Sequence, residues 1–223
     1  MMRDFADIRV LVACECSGTV RDAFLAQGAD AWSVDLKPCE RRSNRHIQGD
    51  ARDYLGEGWH MLIVAHPPCT RLCNSGVRWL SVPPPGRSLS DMWQELREGA
   101  DLFSAFWNAP VPHKAVENPV MHRHAKERIR NFRPHTQSVQ PWQFGTDPDG
   151  PDNERKRTCL WLDNLPPLVP TGTLDGATAR QSVFRAPPSA TRAADRSRFF
   201  PGIAQAMATQ WLPHALQSLE AAA

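Results

Sequence analysis

Short apolar runs separated by amphipathic stretches organise the first half of the chain. "IRVLVA", residues 8 to 13, is an unbroken, partly β-branched run of buried-strand length, and "AWSVDL" (31 to 36) and "HMLIVA" (60 to 65) repeat the type. Between the first two, "SGTVRDAFLAQGAD" places Val20, Phe24 and Leu25 on one helical face, offers Ser17 and Thr19 as N-caps and stops at Gly28. A shorter strand is expected within "HIQGDARDYL". "LSDMWQELREGADLFSAFWNAP" reads as an amphipathic helix beginning at Ser90 or Asp91 and ending before Pro110, and "HKAVENP" as a fifth strand. Strands alternating with helices predict a mostly parallel, doubly wound α/β sheet.

The second half is less regular. "QSVQPWQFG" and "RTCLWLDNLPPL" read as neighbouring strands that form an antiparallel edge to the sheet, and the stretch from 170 to 198, rich in proline, threonine and arginine, as a loop-rich recognition segment. "PGIAQAMATQWLPHALQSLEAAA" predicts a last helix with Ile203, Met207 and Trp211 facing the core and Pro213 kinking or dividing it. At 223 residues and 41% hydrophobic, the chain is expected to form one domain over 1 to 223.

A net charge of +2 permits a nucleic-acid partner without requiring one. The apolar runs are too short to span a membrane. "VLVAC" imitates a lipoprotein cleavage box, but Asp4 and Asp7 stand where a positive region belongs, so a cytoplasmic protein with six reduced thiols is expected. With no C-x-x-C pair, no metal is expected.

Candidate chemistry gathers where the strands end. The first runs into Cys14-Glu15-Cys16-Ser17-Gly18 and the second ends at Asp35, an acid placed to accept from ribose hydroxyls. G-x-G-x-x-G is absent, which favours an adenosine cofactor without phosphates, and Asp50 of Gly49-Asp50 is a further acceptor. The fourth strand runs into His66-Pro67-Pro68-Cys69-Thr70, where prolines stiffen a turn that holds a thiol toward a substrate; the plainer alternative is an inert core cysteine. "MHRHAKERIR" reads as a basic solvated helix with Arg123, Lys126, Arg128 and Arg130 as phosphate contacts.

Taken in order, Ser17-Gly18, Asp35, Gly49-Asp50, Pro67-Pro68-Cys69 and Glu117-Asn118-Pro119 resemble the ordered motifs of the cytosine-5 DNA methyltransferases, above all the short phage and prophage versions, over residues 8 to about 120. Further on, "NERKRTCLWL" resembles the later arginine-bearing motif, and "RSRFFPGIAQAMA" stands where the last motif returns to the cofactor. The resemblance implies a Rossmann-like methyltransferase sheet with a reduced target-recognition segment. It implies S-adenosylmethionine as cofactor, held by Glu15, Cys16, Ser17, Gly18, Asp35, Leu36, Asp50, Ala51 and Pro67. Cys69 is implied as the nucleophile that adds to C6 of a flipped cytosine, Glu117 as the acid at N3, and Arg155 and Arg157 as further catalytic residues.

Pro68, Thr70, Asn118, Arg180 and Arg185 are implied as substrate contacts on DNA. The short segment, with Arg180, Arg185 and Arg192, implies a target of about four base pairs or fewer, or a protein partner for targeting. The chain departs from the family pattern at Thr70, usually glutamine, at E-N-P, usually E-N-V, and in the glycine-poor C-E-C-S-G. Two other readings stand beside this one. His66-Pro67-Pro68-Cys69 imitates the D/N/S-P-P-Y/F/W motif of amino-group methyltransferases, and a non-catalytic nucleic-acid-binding relative retains the same fold.

Overall fold

The computed structural model describes residues 4–187 and 198–222. Seven strands, β1 (Arg9–Ala13), β2 (Asp30–Asp35), β3 (His46–Gln48), β4 (Met61–Val64), β5 (His113–Asn118), β6 (Gln137–Val139) and β7 (Thr158–Asp163), form one sheet in the order β3-β2-β1-β4-β5-β7-β6. The first five run parallel; β7 is antiparallel to both β5 and β6. This α/β sheet, mostly parallel with an antiparallel edge, is compatible with a Rossmann-like fold.

Alternation along each strand divides the core in two. Val10, Val12, Met61, Ile63 and Ala115 face α1 (Thr19–Ala26) and the last helix, α5 (Pro201–Ala222). Leu11, Ala13, Leu62, Val64 and Val116 face α2 (Leu89–Trp107) and the single turn α3 (Arg123–Lys126). Burial on both faces is why the strands read as continuous apolar runs rather than as alternating ones.

Several boundaries differ from the expectation. α1 is capped by neither Ser17 nor Thr19: Gly18 is its N-cap, and the Glu15 carboxylate accepts from the backbone N–H of Val20 (2.6 Å) and Arg21 (3.1 Å). An upstream carboxylate thus satisfies donors that no serine hydroxyl reaches. α2 starts at Leu89 because Ser88 and Asp91 close a capping box, which places the cap ahead of Ser90. β6 stops at Val139, since Pro141 opens a 3₁₀ turn, Pro141–Phe144.

The basic stretch forms only the turn α3, whose cap His122 is buried. α5 passes through Pro213 undivided. On that helix Gln210 exchanges two hydrogen bonds of 2.8 Å with the Val169 backbone, and Trp211 Nε1 donates to Pro166 O, so tertiary fastening offsets the one lost helical bond.

The segment after 170 is not a free-standing loop. Arg180 N donates to Asn153 O (2.9 Å) and Arg155 N to Arg180 O (2.7 Å), which fastens it to the excursion between β6 and β7. Within it lies the short helix α4 (Ser182–Arg185). Arg192 lies outside the described residues. Among the described residues no helix is long and apolar enough to cross a membrane, and no group of three or more His, Cys, Asp or Glu side chains is placed to hold a metal ion.

Candidate active site

The strand order reverses between β1 and β4, and open α/β sheets bind ligands at the carboxyl ends of the strands at such a point. The turn leaving β1 is conformationally unusual there: Cys14 has φ 57 and Gly18 φ 74. A Cβ on Gly18 would strike the guanidinium of Arg21, with Cζ at 2.9 Å. That arginine is buried, donates to Ser33 Oγ (2.9 Å) and pairs with Asp22 (2.7 Å).

Asp35 and Asp50 converge on the end of β1. The Cys14 thiol is pushed up to about 12, first by burial and then by the charges of those two acids. Asp35 accepts from Lys37 N at 2.9 Å. Asp50 accepts from the Arg52 side chain and from its backbone N–H, and the side-chain bond, ahead of the others, holds the Asp50 carboxyl below its ordinary range. Leu36 beside them is 72% exposed, an unusual placement for a leucine next to a turn of acids, and Ala51 is buried. Cys16 is partly exposed, and its thiol is raised by burial and by Asp35 and Glu40. Glu15 is fully buried with both carboxylate oxygens committed to α1, so its place is beneath the turn; burial raises its carboxyl despite those bonds.

β4 runs into the proline turn. Pro67 is buried, Pro68 and Thr70 are exposed, and Cys69 is partly buried. The Cys69 carbonyl accepts from Leu72 N (2.9 Å) and Cys73 N (3.0 Å), which closes a five-residue turn with a cysteine at each end. Gly76 follows so closely that a side chain there would collide with the Thr70 carbonyl. The turn is stitched to the segment after β5 by Asn74 N to Val120 O (3.0 Å), His122 N to Leu72 O (3.1 Å) and a 2.6 Å contact from His122 Nε2 to Arg71 O. Farther out, Glu95 of α2 receives both Arg71 and Arg87 at 2.6 Å, clamping the two ends of the long excursion between β4 and α2.

Glu117 stands at the carboxyl end of β5, 7% exposed. Burial, opposed by Lys156 and reinforced by Cys73, raises its carboxyl to about 7, so a large share carries its proton at neutral pH. Glu117 is paired with Leu160 of β7, and directly opposed residues share a face. Extended backbone leading into β7 brings Lys156 round to that same face. Its Nζ donates to Arg198 O (3.3 Å) and lies 5.6 Å from the Phe200 ring. Arg157 is turned to the other face, where its Nε donates to Ser138 Oγ (3.3 Å), and Arg155 Nη2 donates to Gly176 O (2.8 Å). In the R-K-R run the cation that acts on Glu117 and Cys69 is therefore Lys156.

Among the described residues, three buried polar atoms at the ends of β4 and β5, His66 Nε2, Glu117 Oε1 and Asn118 Oδ1, have no hydrogen-bond partner. Buried polar atoms are almost always paired, so Glu117 Oε1 at the carboxyl end of β5 marks where a ligand's polar group belongs, while Asn118, next along the strand and opposite Cys159, projects to the other face. His66 packs against Phe199, with ring centroids 5.6 Å apart, and burial lowers its imidazole to about 3, which keeps it neutral.

Arg180 is not at this crevice. The Arg180 guanidinium caps the carbonyls of Pro148, Asp149 and Gly150, and Arg185 is exposed on α4 beside Phe184. A cavity of about 420 Å³ lies at the amino end of β5, lined by Trp107, Lys114, Arg133 and Asp163. There the Lys114 ammonium is satisfied by Ala109 O, Val111 O and Asp163, which leaves the chemistry at the opposite end of the sheet.

Cys73 and Lys156 are the residues that sequence reasoning passed over. The signal for the first was its spacing of four from Cys69, and for the second the two-residue alternation of a strand carried back through R-K-R. Comparison with known proteins finds no matching family model and no significant match among curated sequences.

Proposed function

We propose that the protein is an S-adenosylmethionine-dependent DNA methyltransferase acting on carbon 5 of a flipped cytosine. The observation that carries this reading is the buried Glu117 carboxyl, raised to about 7 by burial and with Oε1 unpartnered among the described residues, close enough to Cys69 to act on its thiol. Cytosine C5 is a poor nucleophile until a thiolate adds to C6. As the Cys69 sulfur releases its proton to solvent and bonds to C6, the ring electrons move toward N3 and a neutral Glu117 donates its proton there, which an ordinary ionised glutamate could not do. After methyl transfer, loss of the C5 proton to solvent expels the sulfur with the C6–S pair, and the N3 proton returns to Glu117. His66 Nε2, unpartnered among the described residues, offers a further polar contact to the base or its sugar.

The turn after β1 fits the cofactor. Asp35 stands where ribose hydroxyls are accepted, Leu36 presents an exposed apolar side chain for the adenine ring, and the acids around Cys14 favour a sulfonium cation over a phosphate. When bound, the cofactor supplies an electrophilic methyl group. The partner is DNA: Arg123, Lys126, Arg128 and Arg130 are exposed on and just after α3, next to the stitched proline turn, where they meet phosphates.

The test is incubation of the purified protein with plasmid DNA and isotope-labelled S-adenosylmethionine, followed by nucleoside mass analysis. Labelled 5-methylcytosine is expected, together with a covalent Cys69 adduct on DNA containing 5-fluorocytosine. Label on an amino nitrogen would transfer the reading to the amino-group enzymes, and no label with any DNA would refute it.

A further inference from the structure

The R-K-R run divides between two faces of the sheet, and the mechanism above uses only the face on which Lys156 stands. Arg157 lies on the other, in line with Cys159 of β7, which is paired with Ser138 of β6, and its Nε donates to Ser138 Oγ (3.3 Å). The same hydroxyl meets His135 Nε2 at 3.1 Å, and the His135 ring is held edge-on to Trp161, with centroids 5.5 Å apart. Side chains from the approach to β6, from β6 itself and from the approach to β7 thus meet at one point.

Lys126, the last residue of α3, adds its charge from a fourth element. Burial, and then the charges of Arg157 and Lys126, lower the His135 imidazole, and no carboxylate is among the groups acting on it. Among the described residues neither Arg157 nor Lys126 has a carboxylate partner, and Glu127, beside Lys126, is engaged by Arg123. Arg157, Ser138 and Lys126 are exposed, and His135 is half-buried. Two cations, an imidazole and a hydroxyl gathered without an acid repel one another when the cluster is empty and attract an anion.

Resting on the reading of DNA as substrate, we propose that Arg157, Ser138, His135 and Lys126 form a seat for one backbone phosphate of the strand whose base enters the crevice.

The place of the cluster favours the substrate strand over a free anion. β7 runs antiparallel to β5, so the chain leading into it stands beside the carboxyl end of β5, where Glu117 is. Only that one extended chain separates the crevice from the cluster, with Lys156 turned to the base and Arg157 to the backbone that leads away from it. The guanidinium offers a flat fork matched to two phosphate oxygens, and Lys126 a point charge. With His135 donating through Nε2, the Ser138 hydroxyl proton is left for a phosphate oxygen.

The test measures binding of the full chain to a labelled cytosine-containing duplex by fluorescence anisotropy across a range of salt, with the 5-fluorocytosine adduct followed in parallel. Arg157→Gln should weaken binding about tenfold and lower the slope of log K against log salt by about one, whereas Arg157→Lys keeps the slope. The loss should lie in affinity, with the adduct rate at saturating DNA that of wild type. A scan of single neutral methylphosphonates along the target strand should find one position that weakens wild type and leaves Arg157→Gln unaffected. Unchanged affinity and salt slope in Arg157→Gln overturn the inference, as does a scan in which every position affects variant and wild type alike. Loss of the adduct at saturating DNA would place Arg157 in the chemistry and overturn it too. Wild type that binds DNA through Arg157 but forms no adduct with any DNA supports the phosphate seat and overturns the methyl-transfer reading instead, and wild type that binds no DNA overturns both.

Discussion

Replacing Glu117 by glutamine removes a titration while keeping the shape of the side chain. In wild type the buried carboxyl ionises at about 7, against an ordinary value of 4.5 in the unfolded chain. A raised folded value means that the native state binds the proton more tightly. The resulting stabilisation is fully present below pH 4.5 and is lost as the pH rises toward 7. At about 1.4 kcal/mol for each unit, the loss across that window is about 3 kcal/mol. Glu117→Gln carries no such loss. Its stability relative to wild type should be near zero at pH 4 and should climb to about 3 kcal/mol in the variant's favour by pH 8.

Urea unfolding of both proteins at half-unit steps of pH measures this directly, with the midpoint converted through a common slope. The variant should at the same time lose the fluorocytosine adduct, because the amide has no acidic proton for N3. A stability difference that does not vary between pH 4.5 and 8 would refute the argument that burial holds Glu117 protonated.

Two further outcomes follow from the turn after β1. Asp35→Ala should weaken S-adenosylmethionine binding by about 1.5 to 3 kcal/mol, the range for a hydrogen bond to a charged group, with the fold retained; unchanged affinity by titration calorimetry would move the ribose site elsewhere. Gly18→Ala forces a side chain into a left-handed backbone and against the buried Arg21 guanidinium, so chemical unfolding should show a loss of about 2 kcal/mol or more. A loss below about 0.5 kcal/mol would show that the turn relaxes freely.

The alternation of buried runs and amphipathic stretches was enough to specify an α/β sheet and to locate β1, β2, β4, β5 and α2 within a residue or two, because two-sided burial writes itself into the residue types directly. That Cys69 and Glu117 belong to one crevice was implied only by the resemblance of the ordered motifs, and their proximity is what the fold supplies. Capping and facing were not legible. The reach of the Glu15 carboxylate to the first amides of α1 depends on how sharply the chain reverses at Cys14, and a left-handed residue there has no signature in its identity.

The choice of Lys156 over Arg155 and Arg157 is settled by the register that opposes Leu160 to Glu117. A shift of one residue would turn the arginines inward and the lysine out. The raised carboxyl of Glu117 and the raised thiol of Cys14 belong to tertiary structure alone. The same side chains in a solvated loop would titrate near their ordinary values, and it is removal from water, together with the charges packed around them, that moves them away from those values.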